Sequence, residues 1–180
     1  LPEARNRGYK LFAAQRATPE LTAFMIRYTS GYVCVAMPGN ELDRLGLTTG
    51  FAVCANGAVT ICLDPALADG YEILEAVTFD PRPALMVLRE HFPSALVAVE
   101  VLGVGFKVTA PFPDGELDGT PQVVPFEELM STPVTRLTLR DPSSTSEEFL
   151  ARTEKIGLHG VEYAVGWSAW LDINPEGVSK

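Results

Sequence analysis

Cysteine and histidine are scarce in this chain of 180 residues, with three of the first and two of the second. Cys34, Cys54 and Cys62 each sit in an apolar run, odd in number and without metal-like spacing. They read as buried reduced thiols, which excludes a disulfide framework and a cysteine-based zinc site. His91 and His159 have no second histidine or cysteine at ligand spacing, so capping or surface roles are expected. Basic residues are few, 14 Lys and Arg against 23 Asp and Glu, for a net charge of −9. That excludes the electrostatic footprint of a nucleic-acid binder. No apolar run reaches the roughly 20 residues that span a bilayer, and no secretory signal is present, so a cytoplasmic protein without a membrane partner is expected. The run Val101-Leu102-Gly103-Val104-Gly105 lacks the third glycine and following helix of a dinucleotide loop. The first residue is leucine, not methionine, which suggests a trimmed or partial product.

At 47% hydrophobic, the chain has enough material for one sizeable core, or a core plus a small lobe. Thr18-Pro19 puts a capping hydroxyl before a proline at the first helical position. Leu21, Phe24, Met25 and Tyr28 then mark one helical face, which Gly31 ends. Residues 32–37 are continuously apolar, as in a strand covered on both faces. Pro38-Gly39-Asn40 breaks the run, residues 41–47 suit a short helix, and a second strand follows at 51–54. Helix, strand, helix, strand is the order of a parallel α/β layer.

Phe12-Ala13-Ala14-Gln15-Arg16-Ala17-Thr18-Pro19-Glu20-Leu21, the stretch 23–35 and Asp43-Arg44-Leu45-Gly46-Leu47 resemble 3,4-dihydroxy-2-butanone 4-phosphate synthase. The resemblance implies a riboflavin-precursor enzyme acting on ribulose 5-phosphate with magnesium held partly by acidic residues. The acidic loop that the family carries before this stretch is here Arg5-Asn6-Arg7-Gly8-Tyr9-Lys10. Arginines cannot supply the oxygen ligands a hard divalent cation needs. The family's later histidine and arginine motifs have no counterpart either.

From Gly50 the sequence changes character. Phe51-Ala52-Val53-Cys54-Ala55-Asn56-Gly57-Ala58-Val59 resembles the strand and Asn-Gly-Ala turn of Cof-type haloacid dehalogenase-like phosphatases. Asn56-Gly57 is a tight-turn dipeptide, open to an ordinary hairpin or, by resemblance, a substrate contact. Residues 71–79 read as a strand, and Asp80-Pro81 opens a helix with Leu85, Leu88 and Phe92 on one face. Residues 96–102 and 106–110 form a hairpin pattern, 111–125 a loop, and 134–139 a strand. Ser144 with Glu147 suggests a capping box for a helix that Gly157 closes. Val161, Tyr163 and Val165, then Trp167, Ala169, Leu171 and Ile173, alternate as two strands. Trp167 and Trp170 fall on opposite strand faces, one toward the core and the other toward the lobe surface or an interface.

This second part resembles a cap that Cof-type phosphatases insert between their second and third motifs. The closing run, through Asp172 to Gly177-Val178-Ser179-Lys180, resembles the strand and turn leading back to their core. By that resemblance Lys180 stabilises the aspartyl nucleophile and the transferred phosphoryl group; its other reading is a solvated terminal lysine. The nucleophile's Asp-x-Asp motif is absent from the 180 residues, and Thr29 and Ser30 lie at the wrong end of their strand for the second motif. Without nucleophile or metal ligands an aspartyl-phosphate mechanism has no route.

The fold expected is α/β, a three-layer haloacid dehalogenase-like partial core (residues 1–60, synthase-like to about 47), with an α+β cap-like lobe (61–180). The function expected is that of a catalytically incomplete chimeric or engineered domain; a decayed paralogue or two joined pieces would also account for the join. The alternatives are an active magnesium-dependent phosphatase with motifs supplied outside this chain, and a relative of the synthase. No metal site is assigned and no cofactor is expected, except magnesium under the phosphatase reading. Expected partners are a small phosphorylated substrate and a second copy through an open sheet edge.

Overall fold

The computed structural model describes residues 32–35, 48–114, 116–117, 120–156, 158, 161–166 and 169–178. The chain divides into two units, 1–75 and 76–180, each with its own sheet. The helix expected from Thr18 to Gly31, that at 41–47, the 5–10 loop, Gly157, His159, Trp167 and Lys180 lie outside the described residues.

In the first unit, strands β1 (Tyr32–Val35) and β2 (Gly50–Cys54) pair in parallel, with Tyr32 opposite Phe51 and Val35 opposite Cys54. The chain then reverses through a short 3₁₀ turn at Ala55–Gly57 into β3 (Val59–Leu63), antiparallel to β2. Strand β4 (Tyr71–Ala76) completes the order β1-β2-β3-β4. The sheet is therefore mixed, and its first pair has the parallel arrangement expected from the apolar runs. Val59, Ile61 and Leu63 alternate into the core with Ala52 and Cys54. Cys54 is buried and Cys62 half-buried, and neither is disulfide-bonded.

The sequence pattern puts 71–79 in the cap-like sheet, but β4 joins the first one. The reason is local: the Asp64-to-Gly70 turn folds back on itself, with Asp64 N donating to Gly70 O at 3.0 Å and Ala66 N to Asp64 Oδ1 at 2.9 Å. That closure delivers the following residues to the nearby edge of β3. The residue 60/61 boundary falls inside β3, whereas the two units part after Glu75.

The second unit begins with helix α1 (Arg82–His91), opened by Asp80 Oδ1 accepting from Arg82 N at 3.0 Å. Strands β5 (Leu96–Val101) and β6 (Gly105–Val108) form the expected antiparallel hairpin. The expected loop at 111–125 contains a two-residue strand, β7 (Gln122–Val123), parallel to β6. Then come β8 (Arg136–Arg140), helix α2 (Ser146–Thr153), β9 (Val161–Gly166) and β10 (Trp170–Pro175), giving the order β7-β6-β5-β8-β10-β9. Strand β10 starts later than the alternation suggests, because Ala169 has φ 52° and turns the chain before Trp170.

Register explains the core. Val97 lies opposite Leu139 and Val99 opposite Leu137, while Leu171 and Ile173 face the same two leucines from the other side. Side chains alternate across a strand, so these six share one face. Leu85, Leu88 and Phe92 at the α1 end and Phe149 of α2 pack on that face. Phe92 and Phe149 meet at 4.9 Å between ring centroids. Both helices thus cover one side of the sheet, as one-sided alternation requires.

The capping box falls one residue later than expected. Ser144 Oγ donates to Asp141 Oδ2 at 2.6 Å, so Thr145 caps α2 instead. Thr145 Oγ1 accepts from Glu148 N at 3.2 Å, and Glu148 Oε2 accepts from Thr145 N at 3.1 Å. Hydrogen bonds from the Thr145 backbone and hydroxyl hold the Glu148 carboxyl below its usual range. The helix ends at Thr153. Thr145→Ala is expected to cost about 1 kcal/mol in urea unfolding. Glu147→Gln, at an exposed neighbour outside the box, should stay within about 0.5 kcal/mol of wild type. Because the folded-state pKa of Glu148 is depressed, the part it contributes is present above the ordinary glutamate value and fades as pH falls through the folded one.

Candidate functional site

Two arrangements qualify. The first is the turn that follows β1 and β2. Val35 and Cys54 are register partners, so residues 55–57 sit directly beyond the carboxyl ends of a parallel pair. Open α/β sheets bind their ligands at that end. Ala55 and Asn56 adopt left-handed conformations, φ 48° and 57°, and Gly57 has φ 108°. A β-carbon is costly there for Ala55, whereas Asn56 and Gly57 accept such conformations, so strain is confined to Ala55 at the start of the turn. Asn56 is 4% exposed. Asn56 and Gly57, the substrate contacts implied by resemblance, therefore lie in a hairpin turn just beyond the carboxyl ends of the β1–β2 pair.

The second arrangement is the face of the six-stranded sheet opposite its helices. Register sets Glu100 opposite Arg136, Ala98 opposite Thr138 opposite Asp172, and Leu96 opposite Arg140 opposite Trp170. Glu100 and Arg136 are buried and joined at 3.0 Å, Arg136 Nε donating to Glu100 Oε2. The Arg136 guanidinium also lies 5.0 Å from the Phe106 ring centre. Burial pushes the Glu100 carboxyl above the usual range, although the guanidinium opposes it; Asp172 adds a smaller upward push. Thr138 Oγ1 donates to Asp172 Oδ1 at 2.9 Å, and Asn174 is buried further along β10. At the rim, Arg140 pairs with Glu116 at 3.1 Å, and Phe112 meets Trp170 edge to face at 6.0 Å. Trp170, half-buried, is on this polar face, away from the helical core.

The chemistry available is recognition by hydrogen bonds and charge. No cluster of three or more metal-type ligands occurs among the described residues. His91 ends α1, exposed, and its carbonyl accepts from the Arg152 guanidinium; that guanidinium lies 4.3 Å from the Phe92 ring centre. His91 is thus a helix-end residue, as its place in the sequence suggests. The polar row carries no motif in the sequence. Its signal is present in Arg136, Thr138 and Arg140 alternating with Leu137 and Leu139, but such positions ordinarily read as a solvated face.

A mixed sheet, and a largely antiparallel one with helices on one side, define an α/β protein with the architecture of haloacid dehalogenase-like phosphatases. The structure is similar to a phosphatase of that superfamily from Bacteroides thetaiotaomicron, with TM-score 0.60 and 19% identity, covering 93% of this chain and 63% of that one. A haloacid dehalogenase-like hydrolase from the same organism gives TM-score 0.64 at 12% identity, covering 92% and 66%. The family model for 3,4-dihydroxy-2-butanone 4-phosphate synthase matches residues 3–71. The riboflavin biosynthesis protein RibBA of Mycobacteroides abscessus is 57% identical over 51 residues, 28% of this chain and 12% of that protein. RibBA of Nocardia farcinica is 58% identical over 50 residues, with the same coverage. The chain is thus composite: synthase-like at its amino end, phosphatase-like in fold. The two resemblances overlap, since the synthase match runs through β2 and β3 to Tyr71. Among the described residues, no helix is long and apolar enough to cross a membrane.

Proposed function

We propose that the chain is a catalytically incomplete chimeric α/β domain, engineered or recombined, that retains ligand-recognition surfaces of a phosphohydrolase scaffold without its turnover. The observation that carries this reading is that no Asp-x-Asp occurs in these 180 residues, the motif that by resemblance holds the nucleophile of the phosphatases whose fold the chain shares. The ligand class is a small phosphorylated molecule, recognised at the Asn56-Gly57 turn of the first unit. With Arg5 and Arg7 in place of acids, the amino-terminal segment lacks the acidic oxygen ligands that the synthase resemblance implies for magnesium.

A second reading is an active magnesium-dependent phosphatase whose nucleophile and acidic ligands lie outside this chain. It is favoured by coverage: the chain spans only 63% of the similar phosphatase. In that case Lys180 stabilises the phosphoryl group and magnesium supplies charge neutralisation. The synthase reading rests on the 51-residue identity and on the family-model match over residues 3–71.

Assays with p-nitrophenyl phosphate and with ribulose 5-phosphate, each with and without magnesium, separate these readings. The expected result is no turnover above a buffer blank in any arm. Magnesium-dependent hydrolysis that disappears in Lys180→Ala establishes the phosphatase reading instead, and conversion of ribulose 5-phosphate establishes the synthase one.

A further inference from the structure

We propose that β4 is a self-association edge, through which two copies of the chain join their first sheets antiparallel about Ile73. Strand β4 ends its sheet among the described residues, and five of its six residues are exposed. Ile73 is 41% and Leu74 51% exposed, so large apolar side chains stand bare on both faces of one strand. The strand has no proline and no lysine, and its two charges, Glu72 and Glu75, leave Ile73 and Leu74 bare between them. The two-residue edge strand β7 of the other sheet, by contrast, is bracketed by Pro121 and Pro125.

The sequence Tyr71-Glu72-Ile73-Leu74-Glu75-Ala76 selects both the occupant and the register. An axis between Ile73 and Leu74 would set Glu72 against Glu75 of the second copy twice, and like charges directly opposite are destabilising. An axis on Ile73 sets isoleucine against isoleucine, Glu72 against Leu74, and Tyr71 against Glu75, where the phenol can donate to the carboxylate. An axis on Leu74 also separates the acids, with Ile73 against Glu75, but it leaves Tyr71 unpaired and forgoes the Tyr71–Glu75 hydrogen bond. The edge is therefore most complementary to itself in the Ile73 register. A single strand pair is smaller than a standard stable interface, so the dimer is weak and forms at high micromolar concentration.

Sedimentation equilibrium on the full chain, with Ile73→Lys and Leu74→Lys beside it, tests this. In the Ile73 register, the lysine introduced by Ile73→Lys faces its own counterpart in the second copy. The one introduced by Leu74→Lys faces Glu72. Ile73→Lys should weaken the dimer about tenfold or more, and Leu74→Lys should leave it within about threefold of wild type. Both positions are exposed, and circular dichroism checks that each variant stays folded. A chain that stays monomeric at high micromolar concentration, a dimer indifferent to both substitutions, or the reverse order of effects overturns the proposal. Since none of these readouts involves turnover, the result stands apart from the phosphatase assays.

Discussion

Arg136→Met is expected to destabilise the second unit by about 3–5 kcal/mol, because it leaves the Glu100 carboxylate buried without its cation. The two side chains are 8% and 7% exposed and joined at 3.0 Å, so water cannot take the guanidinium's place cheaply. The loss depends on pH, and its sign follows from the carboxyl. Burial already holds Glu100 above the ordinary glutamate value, and the guanidinium is the main force opposing that rise. Removing it sends the folded-state pKa higher still. The folded protein then keeps a proton that the unfolded chain releases, so stability is greatest below the ordinary glutamate value and falls as pH rises through the folded one. Urea midpoints of Arg136→Met should fall as pH rises above the ordinary glutamate value, more than those of wild type. Glu100→Leu combined with Arg136→Met should recover most of the loss, since replacing both members of a buried pair by apolar residues is often neutral. A single variant as stable as wild type at neutral pH would show that the pair is solvated.

Phe149→Ala is expected to cost about 3–5 kcal/mol, the range for a fully buried phenylalanine. Phe149 has no exposed surface and meets Phe92 at 4.9 Å, joining α2 to the end of α1 over the sheet. Against a total stability of about 5–15 kcal/mol for a domain, that is a fifth or more of the whole. For a unit of this size the melting temperature should fall by roughly 15 °C or more. Leu150→Ala is the matched control: Leu150 is 43% exposed on the same helix, and its loss should stay within about 0.5 kcal/mol. Equal effects at the two positions would mean that α2 presents a different face to the sheet.

Much of the second unit is legible in short stretches of sequence. The hairpin of β5 and β6, helix α1 with Leu85, Leu88 and Phe92 inward, and strand β8 all follow from patterns within a dozen residues. Periodicity and turn residues act locally, and the structure keeps those elements close to their expected bounds. The capping box is legible as a motif but not as a position. The Asp141 carboxylate takes the Ser144 hydroxyl and passes the cap to Thr145, a choice made by hydrogen bonding within the folded turn. Among the candidate site residues, Asn56 and Gly57 are visible because a tight turn needs their conformations. Glu100, Arg136, Thr138, Asp172 and Asn174 are not, because nothing in a strand's alternation tells a solvated polar face from a buried one.

Residue type and short spacing were enough for the local elements, the acidic balance, the absence of Asp-x-Asp and the double resemblance, since each of these is a property of neighbouring positions. Only the folded chain assigns β4 to the first sheet and brings Glu100 to Arg136. Folding likewise turns Trp170 toward the polar side and, among the described residues, places β4 at the end of its sheet. Each of those outcomes depends on which strand pairs with which, and pairing is settled by contacts between residues far apart in the chain, where no short pattern can carry the information.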